Sequence, residues 1–170
     1  MNYFTLFNIP KKFNIDKKLL SEKFYKLQLQ FHPDLFINDS VSKKKIILEK
    51  SIEINKGYKI LKNFLSRAIY LLSLHGLNIK NESAISNNYI FLKKYFSLYE
   101  ELDHLKKNNF NQILLNNFFL KITKKIKQYQ EKIEIEFERK NLKKVALLIE
   151  KLLFFEKMKE NLKNNEKSLK

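Results

Sequence analysis

Phe24-Tyr25-Lys26-Leu27-Gln28-Leu29-Gln30-Phe31-His32-Pro33-Asp34 is a periodic apolar run that ends at a proline. Leu20, Phe24, Leu27 and Phe31 recur at spacings of four, three and four, which puts them on one helical face. Asp16 precedes the run as an N-cap: its carboxylate can accept from free backbone N–H groups and favours the positive helix end. Pro33 cannot continue the helix, and its ring disfavours the α conformation at His32. The chain must therefore turn at His32-Pro33-Asp34. A short loop follows through Asp39 and Ser40, either of which can cap the next helix.

Outward from this turn the pattern stays helical. Ile47, Ile54, Tyr58 and Leu61 line a second helix that should end near Asn63. Ala68, Leu71, Leu72 and Leu74 mark a third, from Phe64 to Leu74, and Gly76 sits where a helix commonly stops in the left-handed conformation. Two helices joined by a short loop must run antiparallel to bury such faces. Residues 77–88 are polar and aperiodic and read as a linker between a domain over 1–76 and one over 89–170. The second domain carries three long helical stretches, Tyr89 to Lys107, Phe110 to Phe137 and Leu142 to Lys163. Their expected core stripes are Phe91/Tyr95/Leu98/Leu102/Leu105, Leu115/Phe119/Ile122/Ile126/Tyr129/Ile133 and Val145/Leu148/Leu152/Phe155/Leu162. With only two Gly and two Pro among 170 residues, the expected class is all-α.

The net charge of +16 normally points to nucleic acid or an anionic membrane. Only Arg67 and Arg139 are Arg, however, and the chain is crowded with Lys, Asn, Ile and Phe, the residues that AT-rich codons write. A nucleic-acid binder more often uses Arg for bidentate phosphate and base contacts. The expectation is no nucleic acid, with a basic helical nucleic-acid binder kept as the rival from another class. With no Cys there is no disulfide, thiolate metal site or Cys nucleophile. No apolar run approaches the roughly 20 residues that span a bilayer, and no basic start followed by an apolar stretch opens the chain. The expected setting is the cytoplasm of a bacterium with an AT-rich genome, with no membrane partner.

Nothing in the pattern suggests catalysis. His32, His75 and His104 have no metal-ligand spacing, and Gly57 and Gly76 are too far apart for a phosphate loop. Glu100 and Glu101 are adjacent and so diverge on a helix. The expectation is a protein that is not an enzyme and uses no cofactor or metal.

A given tripeptide turns up by chance in a chain of this length roughly 2 % of the time, so the setting of His32-Pro33-Asp34 carries the weight. About twenty residues on comes Ile54-Asn55-Lys56-Gly57-Tyr58-Lys59-Ile60-Leu61, and then Arg67-Ala68-Ile69-Tyr70-Leu71-Leu72-Ser73-Leu74-His75-Gly76. With Tyr3-Phe4-Thr5-Leu6-Phe7 before and Leu98-Tyr99-Glu100-Glu101-Leu102 after, essentially the whole chain resembles the HscB family of iron–sulfur-cluster co-chaperones. The resemblance implies an N-terminal J domain, an antiparallel hairpin with additional short helices, and a C-terminal three-helix domain set as an L. It implies that the J domain stimulates ATP hydrolysis in HscA, a chaperone of the DnaK class, and that the second domain binds the IscU scaffold. A J-domain protein serving a general DnaK with another client is the nearer alternative. Leu35 and Gly57 depart from the family, standing where Lys and Ala are usual; a Gly inside a helix costs about 0.5–1 kcal/mol relative to Ala.

Candidate site residues follow. His32, Pro33 and Asp34 form one contact unit for the chaperone: Asp34 offers a carboxylate for a bidentate bond with a partner Arg, and Pro33 limits loop entropy. Lys23, Lys26 and Gln30, three and four apart, form a strip leading to the loop, either a solvated face or one that steers an acidic partner. Leu92 and Phe96, four apart and off the core stripe, with Glu100 one turn on and Phe154 beside Phe155, read either as part of a wide core or as an exposed patch with a polar rim. Leu92, Phe96, Glu100 and Phe154 match the scaffold-binding positions of the family. Lys93 and Ser97 fall where it more often has an apolar and an acidic residue.

Overall fold

The computed structural model describes residues 2–79, 88–107 and 111–167, with side chains to 164. Within these residues the chain is helical and has no strand. It divides into two compact units, Met1–His75 and Gly76–Lys170. Most of the stretch read as a linker, residues 80–87, lies outside the described residues.

The first unit holds α1 (Tyr3–Leu6), α2 (Lys17–Gln30), a 3-10 turn (Pro33–Phe36), α3 (Val41–Lys62) and α4 (Phe64–Ser73). Asp16 caps α2 as expected, accepting from the N–H groups of Lys18 and Leu19 at 2.9 and 3.0 Å. Of the two candidates before α3, Ser40 is the cap, accepting from Lys43 N–H at 3.3 Å; Asp39 pairs with the Lys43 ammonium at 3.0 Å. Asn63 ends α3 and caps α4, and Gly76 takes a φ of 76° just beyond α4.

The α2 stripe closes tightly at Leu20 and loosely towards the turn, where Phe24, Leu27 and Phe31 stay half-buried. There Phe24 stacks on Tyr58 at 3.9 Å, and Gln28 donates to the Asn55 side chain at 2.8 Å, tying α2 to α3. The periodicity did not reveal that the N-terminal segment supplies much of this core. Phe4, Phe7, Ile9 and Phe13 are buried, in an aperiodic stretch too short for a repeat.

Arg67 holds the unit's far end together. It is 4 % exposed, donates from Nε to the Phe13 carbonyl at 2.9 Å and from Nη1 to the Leu61 carbonyl at 2.6 Å. The last carbonyls of a helix have no partner within it, and the helix dipole favours a cation there. Arg67 supplies both for α3, between the rings of Phe13 at 4.8 Å and Phe64 at 5.9 Å.

The second unit packs α5 (Tyr89–Lys107), α6 (Gln112–Glu138) and α7 (Leu142–Lys167). The turn from α6 to α7 is a Schellman motif: Asn141 N–H donates to the Glu136 carbonyl, and Lys140 N–H donates to that of Phe137. Lys140 occupies the left-handed position, φ 58°, usually given to Gly. Glu136, 4 % exposed, clasps the turn through Lys144 at 2.9 Å and Arg139 at 3.2 Å.

Two core stripes differ from expectation. Phe118 is buried and Phe119 half-buried; Ile149 is buried and Leu148 half-buried, and Met158 joins them. Leu105 and Tyr129 are half-buried. Runs such as Phe118-Phe119-Leu120 and Leu147-Leu148-Ile149 fit a helical period in more than one register, so packing decides which residue points inward. Tyr129 stacks on Phe155 at 5.4 Å between α6 and α7, and Phe91 of α5 meets Phe155 edge-on at 5.9 Å.

Candidate functional site

The first candidate site is the turn between α2 and α3. Phe31 closes α2, His32 leaves the helical conformation with φ −68° and ψ 127°, and Pro33 begins the 3-10 turn, where its missing N–H is no loss. His32 is the N-cap of that turn, with Nδ1 accepting from the Asp34 N–H at 3.3 Å. The Asp34 carboxylate stands 3.6 Å from His32 Nδ1, and its side chain is 79 % exposed. The loop thus presents an accessible anion on a backbone fixed by its own neighbours. Arrangements that would have hidden this carboxylate are excluded.

Lys23 is half-buried, and Lys26 and Gln30 are exposed, on the helix leading to the loop. The same helix also exposes two apolar side chains, Tyr25 at 64 % and Leu29 at 57 %, one turn apart and displaced around the helix from the strip of Lys23, Lys26 and Gln30. Their spacing of four, outside the Leu20/Phe24/Leu27/Phe31 stripe, was the available signal. The exposed side of α2 thus carries basic and apolar side chains, as protein-contacting surfaces often do.

The second candidate site is a shallow groove of about 480 Å³ on α5, lined by Tyr89, Leu92, Lys93, Phe96, Ser97 and Glu100. It brings together three of the four residues expected there. Phe96 is 60 % exposed and Leu92 half-buried, so the apolar surface beyond the core stripe is real. Phe154 is not among the lining residues. It lies half-buried on α7, its ring 4.8 Å from Tyr95 and 5.8 Å from Phe91, and Tyr95 in turn meets Phe96 at 6.2 Å. Phe154 thus packs on the core stripe of α5. Burial, and then a hydrogen bond with Tyr99, push the Tyr95 hydroxyl well above the ordinary tyrosine range, so it stays protonated in this wall. Tyr89, 74 % exposed, is a lining residue that sequence reasoning passed over, because it was read only as the start of a helix.

Among the described residues no group of three or more His, Asp or Glu side chains could hold a metal, and no helix is long and apolar enough to cross a membrane.

No family model matches the chain. The co-chaperone protein HscB of Buchnera aphidicola subsp. Acyrthosiphon pisum (strain Tuc7) is 66 % identical over 163 residues, covering 96 % of this chain and 94 % of its own length. Among solved structures, the chaperone HscB from Vibrio cholerae matches over the whole of both chains with a TM-score of 0.87 and 32 % identity. The human co-chaperone protein HscB matches 98 % of this chain and 82 % of its own, with a TM-score of 0.89 and 25 % identity. With its exposed Asp34 turn and its separate helical unit, the chain belongs to the HscB family, the J-domain co-chaperones of iron–sulfur cluster protein maturation.

Proposed function

We propose that the first unit stimulates the ATPase of the DnaK-class chaperone HscA through His32, Pro33 and Asp34, while the α5 groove holds the IscU scaffold for delivery. The observation that carries this reading is the Asp34 carboxylate, exposed at a turn that His32 caps. A co-chaperone of this kind breaks no bond itself. It biases a partner between two states, which requires unequal binding to them. An exposed carboxylate can pair with an Arg fork to fork, and a partner that presents that Arg in one state only is shifted towards that state. A fixed loop loses little entropy on docking. Lys23, Lys26 and Gln30 steer the approach towards an acidic surface, so association should weaken with salt.

On the second unit, Leu92 and Phe96 supply the apolar floor and Glu100 a charged rim, with Phe154 holding Tyr95 and so Phe96 in place. The chain acts in the bacterial cytoplasm, without membrane or nucleic-acid partners.

The test is single-turnover ATP hydrolysis by HscA, and by a general DnaK, with and without IscU. His32→Gln and Asp34→Asn should abolish stimulation of HscA. Leu92→Ala with Phe96→Ala should weaken IscU binding and leave the stimulation seen without IscU intact. Full stimulation by Asp34→Asn would remove the loop from the mechanism, and equal stimulation of DnaK without need of IscU would favour the general chaperone.

A further inference from the structure

The groove on α5 is not uniformly greasy. Its floor is Tyr89, Leu92 and Phe96, and its polar members are Lys93, Ser97 and Glu100. Lys93 and Glu100 lie seven residues apart, about 10 Å along the helix axis at 1.5 Å per residue, so they cannot neutralise each other. Charges three or four residues apart on a helix do pair. Around Lys93 those positions hold Tyr89, Ile90, Phe96 and Ser97, none of them acidic. Among the described residues Lys93 and Glu100 have no ion-pair partner, whereas the neighbouring Glu101 is taken by Lys121 at 2.7 Å. Among the described residues the groove thus has an unpaired ammonium towards the start of α5 and, further on, a carboxylate whose helix neighbours three and four residues away are Phe96, Ser97, Asp103 and His104, with no ion pair to any of them.

We propose that Lys93 is a specificity residue of this groove. It selects a client segment that places a carboxylate beside it, with an apolar side chain over Leu92 and Phe96 and a basic group towards Glu100. The inference rests on the reading of the groove as the scaffold's seat, and adds to it the charge order of what sits there. Rim charges act mainly on partner choice and on the rate of encounter, and less on the area-driven part of binding. Ser97 belongs to the device. An acidic residue there, four positions from Lys93, would quench the positive pole from within.

The experiment measures association of the full chain with purified IscU at low and high salt. Lys93→Glu should slow association about tenfold at low salt and remove much of its salt dependence, while Ser97→Glu should give a milder loss in the same direction. Lys93→Met should bind with near-parental affinity at high salt but with a flatter salt profile. Both positions are exposed, and unchanged helicity excludes misfolding as the cause. If Lys93→Glu binds within about twofold of the parent at low salt while Leu92→Ala with Phe96→Ala abolishes binding, the groove is the seat and the charge selection is wrong. If the double alanine variant binds like the parent, the groove reading falls, and this proposal with it.

Discussion

Replacing Arg67 with Met removes a guanidinium from the first unit while keeping an unbranched stem of similar reach. The guanidinium donates to the main-chain carbonyls of Phe13 at 2.9 Å and Leu61 at 2.6 Å, and at 3.5 Å to that of Lys62, at a site 4 % exposed. A hydrogen bond from a charged donor contributes about 1.5–3 kcal/mol, so the two short ones contribute about 3–6 kcal/mol. Met also removes the cost of burying a charge, which leaves a net loss of about 3 kcal/mol. A unit spanning Met1–His75 has a total stability of about 4–11 kcal/mol, so the loss is a large share of it. Hydrogen exchange on the full chain reads the effect residue by residue. Amides of Leu20, Ile54, Leu61 and Leu71 should exchange about a hundredfold faster or more, at tenfold per 1.4 kcal/mol. Amides of Ile122, Ile133, Ile149 and Leu152 in the second unit should change little. Arg67→Lys should recover no more than about half, because an ammonium lacks the fork that reaches two diverging carbonyls. Protection in the first unit within about threefold of the parent would refute the assignment of Arg67 as the clamp on α3.

Lys140→Gly should raise stability by about 0.5–1 kcal/mol, seen as a higher urea midpoint at unchanged slope, because a φ of 58° strains any side chain but glycine's. Lys144 donating to Glu136, with Arg139 assisting, holds the Glu136 carboxyl below its ordinary value although burial opposes this. A depressed folded value means that the contribution is fully present above the unfolded value and fades as pH falls through the folded one. Glu136→Gln should therefore flatten the loss of stability in acid unfolding below about pH 5 and leave its slope above pH 6 unchanged. Phe154→Ala should destabilise the second unit by about 1–2 kcal/mol, less than a fully buried Phe costs, and weaken IscU binding only in step with disorder at Phe96, followed by the ring signals of Tyr95 and Phe96.

The helices of this protein were legible because their signals are local. Asp16, Pro33, Asn63 and Gly76 punctuate the chain by steric and hydrogen-bonding rules that act within a turn, and α5 runs over the residues that periodicity assigns to it. Exposure of Asp34 followed from its place at a forced turn. What stayed hidden depends on distant partners. Arg67 could be quoted as part of a pattern, but its reason lies at Phe13, 54 residues away. The same holds for Gly57, where a Cβ would come within 2.7 Å of the Tyr3 ring: close packing of α1 on α3, and not only helix propensity, bears on that position. Choosing Phe118 over Phe119, or Ile149 over Leu148, needs the neighbouring helix in place. Leu92 and Phe96 were readable as surplus apolar surface, whereas Phe154 was separable from the groove lining only by its ring contacts with Phe91 and Tyr95.

The tight turn at Lys140 bears on the order in which the second unit assembles. Its ties, Glu136 to Lys144 and Asn141 to Glu136, close loops of only a few residues, so α6 and α7 can zip from one end at small entropic expense. Helix α5 joins through Phe91 and Tyr95 meeting Phe154 and Phe155, contacts that must wait for a much longer loop to close. In kinetic terms, substitutions along the α6–α7 hairpin should slow refolding, whereas those on α5 should chiefly hasten unfolding. The helix that carries the groove is then the last to dock and the first to leave, so the groove is complete only once this unit is fully assembled.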